Sequence, residues 1–419
     1  MRRGKLIFLL AAMLCLCACG AGQTTEKRGA EQASAVSATE TGSIGIRETA
    51  EAVLPARTAE PDTGDVTVRE EDLSAGQGRY FFDRLDADRQ CWYLDIYRIL
   101  TGMEEDGELS GEQIETLGED SIDGVFQCVM NDHPELFYVK GYTYTLYSYG
   151  SKVARIGFAG TYTVDAAERE RRQERIEAVA EECLSYLNPD ASDYTKVKYV
   201  YDYVILNTDY DRQAADNQNI CSVLLGRRSV CQGYAKAVQY LLDRLGIPCT
   251  LVNGKVHSGE SHAWNLVMID GEWYYVDATW GDASYQITEG TDVINSASLP
   301  SINYDYLCVT TEQLLKTHEI DSILAMPECT SMDANYYVRE GAYFTAYEEA
   351  GVRAFFERGY EEDRRDITLK CSEASVYNTF LEQLITEQKI FDFMNSPDGR
   401  VAYAEDPDKL SLTFWLVNE

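Results

Sequence analysis

The 419-residue sequence is poor in positive charge. Lysine and arginine together number 37, against 70 aspartate and glutamate residues, which gives a formal net charge of −33 at pH 7. Phosphate backbones and anionic headgroups repel a chain of this kind. The composition therefore argues against nucleic acid or anionic lipid surfaces as partners and suits a protein that works outside the cell.

The sequence has no apolar run near its start that is long enough to span a bilayer. Three basic residues precede an apolar run over 6–18, whereas a transmembrane helix needs about 20 such residues. This pattern predicts a signal peptide over 1–18. Leu16-Cys17-Ala18-Cys19 resembles a bacterial lipobox, which implies cleavage before Cys19 and diacylation of its sulfur. The alternative is an ordinary cleavage site near Ala18.

Aromatic residues are absent from residues 20–78, where alanine, threonine, glutamate, serine and glycine dominate. Such a segment buries too little apolar surface to order itself. We expect residues 19–78 to form a lipid-anchored, disordered linker that lifts the folded part away from the extracellular face of the membrane.

Closely spaced cysteine pairs are missing from the region after the linker. Eight cysteines besides Cys231 are scattered there: Cys91, Cys128, Cys183, Cys221, Cys249, Cys308, Cys329 and Cys371. Without CxxC spacing they argue against a zinc site, and we predict neither a metal nor a cofactor. An even number in an exported chain permits disulfides, although several of these residues lie on apolar faces typical of a core.

Cys231 occupies a position where a cysteine can be reactive. Apolar residues recur at helical spacing from Tyr234 onward, and Gly246 and Pro248 end the pattern. Cys231 should therefore lie at a helix N-terminus, where unpaired N–H groups and the helix dipole stabilise a thiolate. The alternative is a small buried apolar residue, which describes most free cysteines.

A predicted hairpin supplies partners for this cysteine. Asp270-Gly271 separates two strand-like runs, and a two-residue turn gives paired positions that sum to 541. His262 and Asp277 then share a face as diagonal neighbours about 7–8 Å apart. A carboxylate that orients an imidazole is what a Cys–His nucleophile pair needs.

These segments resemble the transglutaminase-like superfamily. The resemblance rests on Val-Cys-Gln-Gly-Tyr-Ala from Val230, Gly-Ile-Pro from Gly246, His-Ala-Trp-Asn from His262 and Trp-Tyr-Tyr-Val-Asp-Ala-Thr-Trp from Trp273. It covers roughly residues 193–282. It implies a papain-like α+β core, with a helix that carries the nucleophile packed on an antiparallel sheet. It also implies that Cys231 is the nucleophile, His262 the base and Asp277 the orienting acid.

Other site residues are less well defined. The backbone N–H of Cys231 is one natural donor for an oxyanion, and Tyr210 is our candidate for the second. We add Gln232 as a neighbour of the nucleophile, and Trp264 and Trp280 as walls of the cleft. His318 follows a predicted capping box at Thr310–Gln313 and is interpreted as a residue of a helix C-terminal turn.

Smaller modules should flank the core. We predict an N-terminal α/β module over 79–165, the catalytic domain over 166–330 and a C-terminal accessory α/β module over 331–419. In the first module, a strand over Tyr142–Leu146, whose alternation breaks at Tyr147–Tyr149, should pair with Val153–Thr163 across a turn at Gly150-Ser151.

Three functions remain open. A Cys231 thioester that reacts with water would make the protein a peptidase or amidase, and this is the function we favour. The same intermediate with an amine acceptor would make it a protein crosslinking enzyme. A catalytically silent domain could instead bind proteins or cell-wall peptides, although a silent domain has no chemical need for all three groups. In each case the expected partner is an extracellular protein or peptide.

Overall fold

The structure is a computed structural model that describes residues 45–50, 76–149, 152–282, 302–395 and 399–416. The predicted signal peptide and Cys19 lie outside these residues. No helix within the described ranges is both long and apolar enough to cross a membrane.

The chain divides into two compact units. The larger unit comprises Val36–Thr279 and Val309–Thr330, and the smaller unit takes in Trp280–Cys308 and Ser331–Glu419. The predicted N-terminal module and most of the predicted catalytic domain therefore share one unit. Residues 280–282 and 302–308, which we placed in the catalytic domain, belong to the smaller unit.

The first half of the larger unit holds one sheet and its covering helices. Its elements are β1 (Gly45–Ala50), α1 (Ala87–Gly102), β2 (Gly107–Glu108), α2 (Ile114–Leu117), α3 (Ser121–Asp132), β3 (Val139–Tyr149), β4 (Lys152–Tyr162) and α4 (Ala166–Ser185). The strand order is β1-β3-β4-β2, and β3 pairs antiparallel with β4. This hairpin confirms the predicted pairing.

Strand β1 lies inside the segment that we expected to be a disordered linker. It pairs in parallel with β3, with Gly45 opposite Tyr142 and Ala50 opposite Tyr147. The expectation is wrong for these six residues because it considered only apolar burial. An open sheet edge offers backbone hydrogen bonds to a strand of almost any composition.

A buried carboxylate holds the segment that precedes α1. Asp132, at the end of α3, is 1% exposed and accepts hydrogen bonds from the backbone N–H groups of Phe81 and Phe82. The hydroxyl of Tyr93 on α1 donates to it at 3.0 Å. Three donors compensate the loss of water around this carboxylate.

The second half of the larger unit contains the predicted core. Its elements are α5 (Asp193–Leu206), β5 (Asp209–Tyr210), α6 (Ile220–Leu224), β6 (Arg228–Ser229), α7 (Cys231–Arg244), β7 (Cys249–Val256), β8 (Ser261–Ile269), β9 (Glu272–Val276), α8 (Ala278–Gly281, which ends beyond the unit boundary), β10 (Leu307–Val309, within which the chain re-enters the unit), α9 (Thr311–Leu314) and β11 (His318–Ile320). Strands β9, β8, β7 and β11 lie side by side in that order and are antiparallel.

Helix α7 packs on this sheet through the apolar face that its spacing predicts. Ala237, Val238, Leu241 and Leu242 are all at most 1% exposed. The helix ends where Gly246 adopts a left-handed φ of 71°, a conformation that glycine reaches without strain. The α+β fold class, with the cysteine-bearing helix against an antiparallel sheet, is confirmed.

The β8–β9 hairpin has the predicted register. Asp270 and Gly271 take φ values of 52° and 88°, as a tight two-residue turn requires. Ile269 lies opposite Glu272 and Asn265 opposite Val276, so paired positions sum to 541. The ladder ends there, and Asp277 directly follows the last paired residue.

The smaller unit contains a four-stranded sheet. Its further elements are α10 (Tyr336–Arg339), β12 (Tyr343–Phe344), α11 (Glu349–Glu361), β13 (Asp366–Cys371), α12 (Ala374–Phe380), β14 (Ala402–Asp406) and β15 (Ser411–Trp415), and the strand order is β12-β13-β15-β14. Asp305 is paired with both Lys370 and Lys409, at 2.7 and 3.2 Å. Tyr337 donates to the same carboxylate at 3.0 Å.

The cysteines of the described residues are all free thiols, and all but Cys91 are buried. The disulfides that an exported chain permits are therefore not formed among them. Burial raises the pKa of the Cys183 and Cys221 thiols to about 11 and that of Cys128 to about 12. At neutral pH these groups are neutral core side chains.

Candidate active site

Cys231 is the first residue of α7, as predicted. The preceding residue, Val230, has extended backbone and caps the helix without a side-chain hydrogen bond. The helix therefore begins with the nucleophile candidate itself, in the field of the N-terminal dipole. Cys231 is 7% exposed, so its side chain is largely withdrawn from water.

A close approach of backbone and side chains fixes the start of α7. The hydroxyls of Ser222 and Ser229 lie 2.6 Å apart against the first turn of the helix. A Cβ atom on Gly233 would lie 2.0 Å from Oγ of Ser229 and 2.7 Å from Oγ of Ser222. This contact gives the glycine of the Cys-Gln-Gly sequence a physical reason, because any side chain would push α6 and β6 away from the helix.

His262 and Asp277 meet in the interior. Nε2 of His262 lies 2.8 Å from Oδ2 of Asp277, and the two residues are 6% and 1% exposed. The other carboxylate oxygen, Oδ1, accepts the backbone N–H of Thr279 at 2.9 Å. The diagonal arrangement that the hairpin register predicts therefore places the two side chains within hydrogen-bonding distance.

Asn265 connects the strand of His262 to the helix of Cys231. It is fully buried, and its side-chain amide donates to the carbonyl oxygen of Ala235 on α7 at 2.9 Å. The asparagine of the His-Ala-Trp-Asn sequence thus ties β8 to the first two turns of α7. This bond fixes the relative position of the two catalytic candidates.

The charges at this site favour an ion pair. Burial works against a charged imidazole, but the Asp277 carboxylate and the Cys231 side chain outweigh it and raise the pKa of His262 to about 10. Burial also opposes the carboxylate charge, yet His262 and His318 hold the pKa of Asp277 well below its usual range. His262 therefore carries its proton at neutral pH, and Asp277 does not.

The side chain of Cys231 interacts with the same imidazole. A hydrogen bond between the protonated imidazole and the Cys231 sulfur contributes to the raised pKa of His262, and Nε2 of the same ring lies 2.8 Å from Asp277. This leaves Nδ1 for the sulfur. The three groups form a continuous chain from sulfur to imidazole to carboxylate, which can store a thiolate–imidazolium pair.

His318 is a residue of this site that the sequence analysis missed. We interpreted it as part of a helix C-terminal turn, but helix α9 ends at Leu314 and His318 begins strand β11. Its Nε2 lies 3.1 Å from the same Oδ2 of Asp277, and the side chain is fully buried. No motif surrounds His318, and three-residue strands leave almost no periodic signal, so only the three-dimensional fold brings it here.

The remaining predicted residues have different surroundings. Trp264 is fully buried and packs against both histidines, with ring centroids 5.9 Å from His262 and 5.0 Å from His318. Tyr210 pairs with Ser229 through the short parallel strands β5 and β6, two residues before Cys231. Gln232 is buried in the first turn of α7. Trp280 belongs to the smaller unit, where it packs edge-on against Tyr306 at 5.0 Å.

The three side chains of His262, Asp277 and His318 also have a spacing that would suit a divalent cation. One nitrogen from each of these two histidines and one carboxylate oxygen lie within 4.8 Å of one another. The distances of 2.8 and 3.1 Å to Oδ2 are those of hydrogen bonds, so proton sharing accounts for the convergence.

The class of the core follows from a family model. Residues 178–278 match the model of the transglutaminase-like superfamily, which supports a domain of this class in that part of the chain. Cys231, His262 and Asp277 fall inside the match, and His318 falls outside it.

Individual relatives are distant. The kyphoscoliosis peptidase of Mus musculus is 28% identical over 133 residues, which cover 28% of this chain and 20% of the relative. The chain thus matches about a fifth of that relative's length. The match to the crystal structure of a TGase is 18% identical in sequence and has a TM-score of 0.25. It covers 38% of this chain and 54% of the TGase chain. The match to the periplasmic domain of TgpA from Pseudomonas aeruginosa is 21% identical and has a TM-score of 0.23. It covers 33% of this chain and 58% of the TgpA chain.

We predict that Gly233→Ala destabilises the protein by about 1–3 kcal/mol because the new methyl group overpacks the contact with Ser229 and Ser222. Urea unfolding measures the loss. The control is Gly124→Ala on α3, where a Cβ would meet only Ile323 at 3.7 Å. Equal stability of the two variants would contradict the close packing at the start of α7.

We also predict that the stability of the protein falls as the pH rises toward 10. The pKa of His262 is about 10 in the fold and about 6.5 in the unfolded chain. Its bound proton therefore stabilises the fold fully below about pH 6.5, and this contribution is lost as the pH rises through the folded pKa. The free energy of unfolding of the wild type should decline more steeply across this window than that of His262→Gln. Parallel declines would show that His262 does not hold the proton.

Proposed function

We propose that this protein is a cysteine-dependent acyl-transfer enzyme that hydrolyses peptide or amide bonds of extracellular substrates. The observation that carries the proposal is the buried hydrogen bond between His262 and Asp277, next to a cysteine at a helix N-terminus. A transglutaminase-like core and distant relatives that include a protein named as a peptidase agree with this class of chemistry.

The first half of the reaction forms a thioester. The Cys231 thiolate attacks the carbonyl carbon of the substrate, and its electron pair becomes the new C–S bond while the carbonyl oxygen takes up negative charge. The imidazolium of His262 then gives its proton to the leaving amine as the C–N bond breaks. Asp277 holds the imidazole in place and stabilises its positive charge throughout.

The second half regenerates the enzyme. Water attacks the thioester carbonyl while the neutral His262 takes one of its protons. The C–S bond breaks, the carboxylic acid product leaves, and the thiolate–imidazolium pair is restored. In both halves we assign the backbone N–H of Cys231 as one donor to the oxyanion. We retain Tyr210 as the candidate for the second donor because β5–β6 pairing holds it beside Ser229, two residues before the nucleophile.

We further propose that the enzyme acts at the extracellular face of the membrane, held there by acyl chains on Cys19. The basic start, the apolar run and the lipobox-like residues support this location.

We predict that Cys231→Ala abolishes turnover and keeps the fold, since the change removes one sulfur from a largely buried site. The full chain would be incubated with a library of protein and cell-wall peptides, with and without a labelled primary amine, and the products analysed by mass spectrometry. Cys91→Ala is the matched control, because it removes a thiol elsewhere in the same unit, and it should keep full activity.

Cleaved peptides without amine adducts would support hydrolysis. Adducts that depend on Cys231 would instead make the protein a crosslinking enzyme. Wild-type turnover in Cys231→Ala would rule out the thioester mechanism. A library left unchanged by a wild-type protein with an unreactive Cys231 would favour a binding domain.

We predict that Cys19→Ala moves the protein from the membrane fraction to the soluble fraction and removes labelling by a clickable palmitate analogue, because the acylated sulfur is lost. Cys17→Ala is the control and should keep the label. Labelling that persists in Cys19→Ala would refute the lipid anchor.

A further inference from the structure

The carboxylate of Asp277 has more hydrogen-bond donors than the proposed mechanism uses. His262 donates through Nε2 at 2.8 Å, the backbone N–H of Thr279 donates at 2.9 Å, and Nε2 of His318 lies at 3.1 Å. The first bond belongs to the reaction, and the second holds the acid in its turn. The third comes from a side chain 41 residues further along the chain, so the fold brings it there from a separate strand.

The surroundings of His318 define its proton position. The hydroxyl of Thr317 lies 2.7 Å from Nδ1 and donates to the carbonyl oxygen of Leu314 at 3.4 Å, so this contact alone does not fix the tautomer. Burial outweighs the attraction of Asp277 and lowers the pKa of His318, so the ring is neutral near pH 7. An ionised carboxylate can only accept, and Nε2 lies 3.1 Å from Oδ2 of Asp277, so a neutral His318 ring carries its single proton on Nε2.

The position of His318 excludes direct contact with a substrate. The residue is fully buried, with 0% of its surface exposed to solvent. Its ring packs edge-on against Trp264. The backbone of His318 pairs with Val256 on β7. The ring is thus held by the sheet and by Trp264. The charged groups that act on it are Asp277 and His262.

We propose that His318 is a positioning residue that donates an Nε2–H hydrogen bond to Asp277, keeping this carboxylate anionic and aimed at His262. The inference rests on the proposed function, in which His262 must keep its proton until the leaving amine takes it.

The physical reason lies in the competition for that proton. If Asp277 had a high proton affinity, the proton on Nε2 of His262 would move to Oδ2 and the imidazolium would be lost with it. The thiolate would then lose its counterion in a buried site, at considerable cost. A second donor on Oδ2 lowers the proton affinity of the carboxylate. A neutral donor does this without placing a second positive charge beside His262.

The test follows the reactivity of the Cys231 thiolate, which needs no knowledge of the substrate. The full chain is alkylated with iodoacetamide over a range of pH, and modification of the Cys231 peptide is quantified by mass spectrometry. His318→Phe removes the donor and keeps a buried ring, and His318→Gln keeps an N–H donor that does not titrate. His133→Phe is the matched control, because His133 is another buried histidine of the same unit that pairs with Glu135 instead.

In His318→Phe, we expect the acid limb of the alkylation profile to move up by about one pH unit, so that Cys231 reacts about tenfold more slowly on that limb. His318→Gln should restore most of the rate, and His133→Phe should leave the limb in place. In turnover assays, His318→Phe should lower kcat and leave KM unchanged, since the ring does not reach the substrate.

An acid limb that stays in place in His318→Phe would overturn the proposal. So would equal losses in His318→Phe and His318→Gln, which would mean that His318 acts only as a core residue. If the acid limb of the Cys231 alkylation profile shifts to higher pH in His318→Phe while the wild type turns over no substrate, the proposed function fails and the role of His318 stands. If substrates are turned over and the limb does not move, only the role of His318 fails.

A measurement on the unmodified protein decides the matter if His318→Phe does not fold. The chain has four histidines, so the imidazole nitrogens can be assigned in a sample labelled with ¹⁵N-histidine. We expect His318 to show the neutral tautomer with the proton on Nε2 at pH 7. A proton on Nδ1, or a charged ring, would overturn the proposal.

Discussion

The site depends on one negative charge that is kept out of water. A carboxylate as deeply buried as Asp277 is tolerated only where donors replace its hydration. Here the replacements come from three separate places: strand β8, the turn into α8 and strand β11. The carboxylate therefore requires the whole sheet from β9 to β11 to be assembled before its charge is stable. In return, it fixes the proton on His262.

The nucleophile is positioned by a second set of contacts, which involve no charge. Asn265 joins β8 to α7, and the close contact at Gly233 holds the loop of Ser222 and Ser229 against the first turn of the helix. Asn265 and Gly233, two motif residues without a role in the proposed chemistry, thus hold β8 and the Ser222–Ser229 contact against α7. These two motif residues therefore serve packing.

The sequence was sufficient for the features that depend on local patterns. A cysteine before a helical apolar pattern, and a two-residue turn that fixes strand register, were enough to place Cys231 and to bring His262 next to Asp277. The predicted N-terminal hairpin follows from the same alternation. Features that depend on long-range pairing were not predictable. His318 reaches the site through a three-residue edge strand. Strand β1 joins β3 through backbone hydrogen bonds, which a reading of side-chain pattern does not detect. The assignment of residues 280–282 and 302–308 to the smaller unit likewise depends on packing that no local pattern encodes.

The free thiols in the core make the chemistry of the larger unit selective. A small molecule that attacks sulfur depends on access and on the thiolate form, and the buried cysteines of the described core offer little of either. Cys183, Cys221 and Cys128 stay protonated far above neutral pH, whereas Cys231 lies at a helix N-terminus and is hydrogen-bonded with the imidazole of His262. A thiol-directed oxidant is therefore expected to modify Cys231 before these three core thiols. Because no disulfide cross-links that core among the described residues, a reductant has no bond there to break.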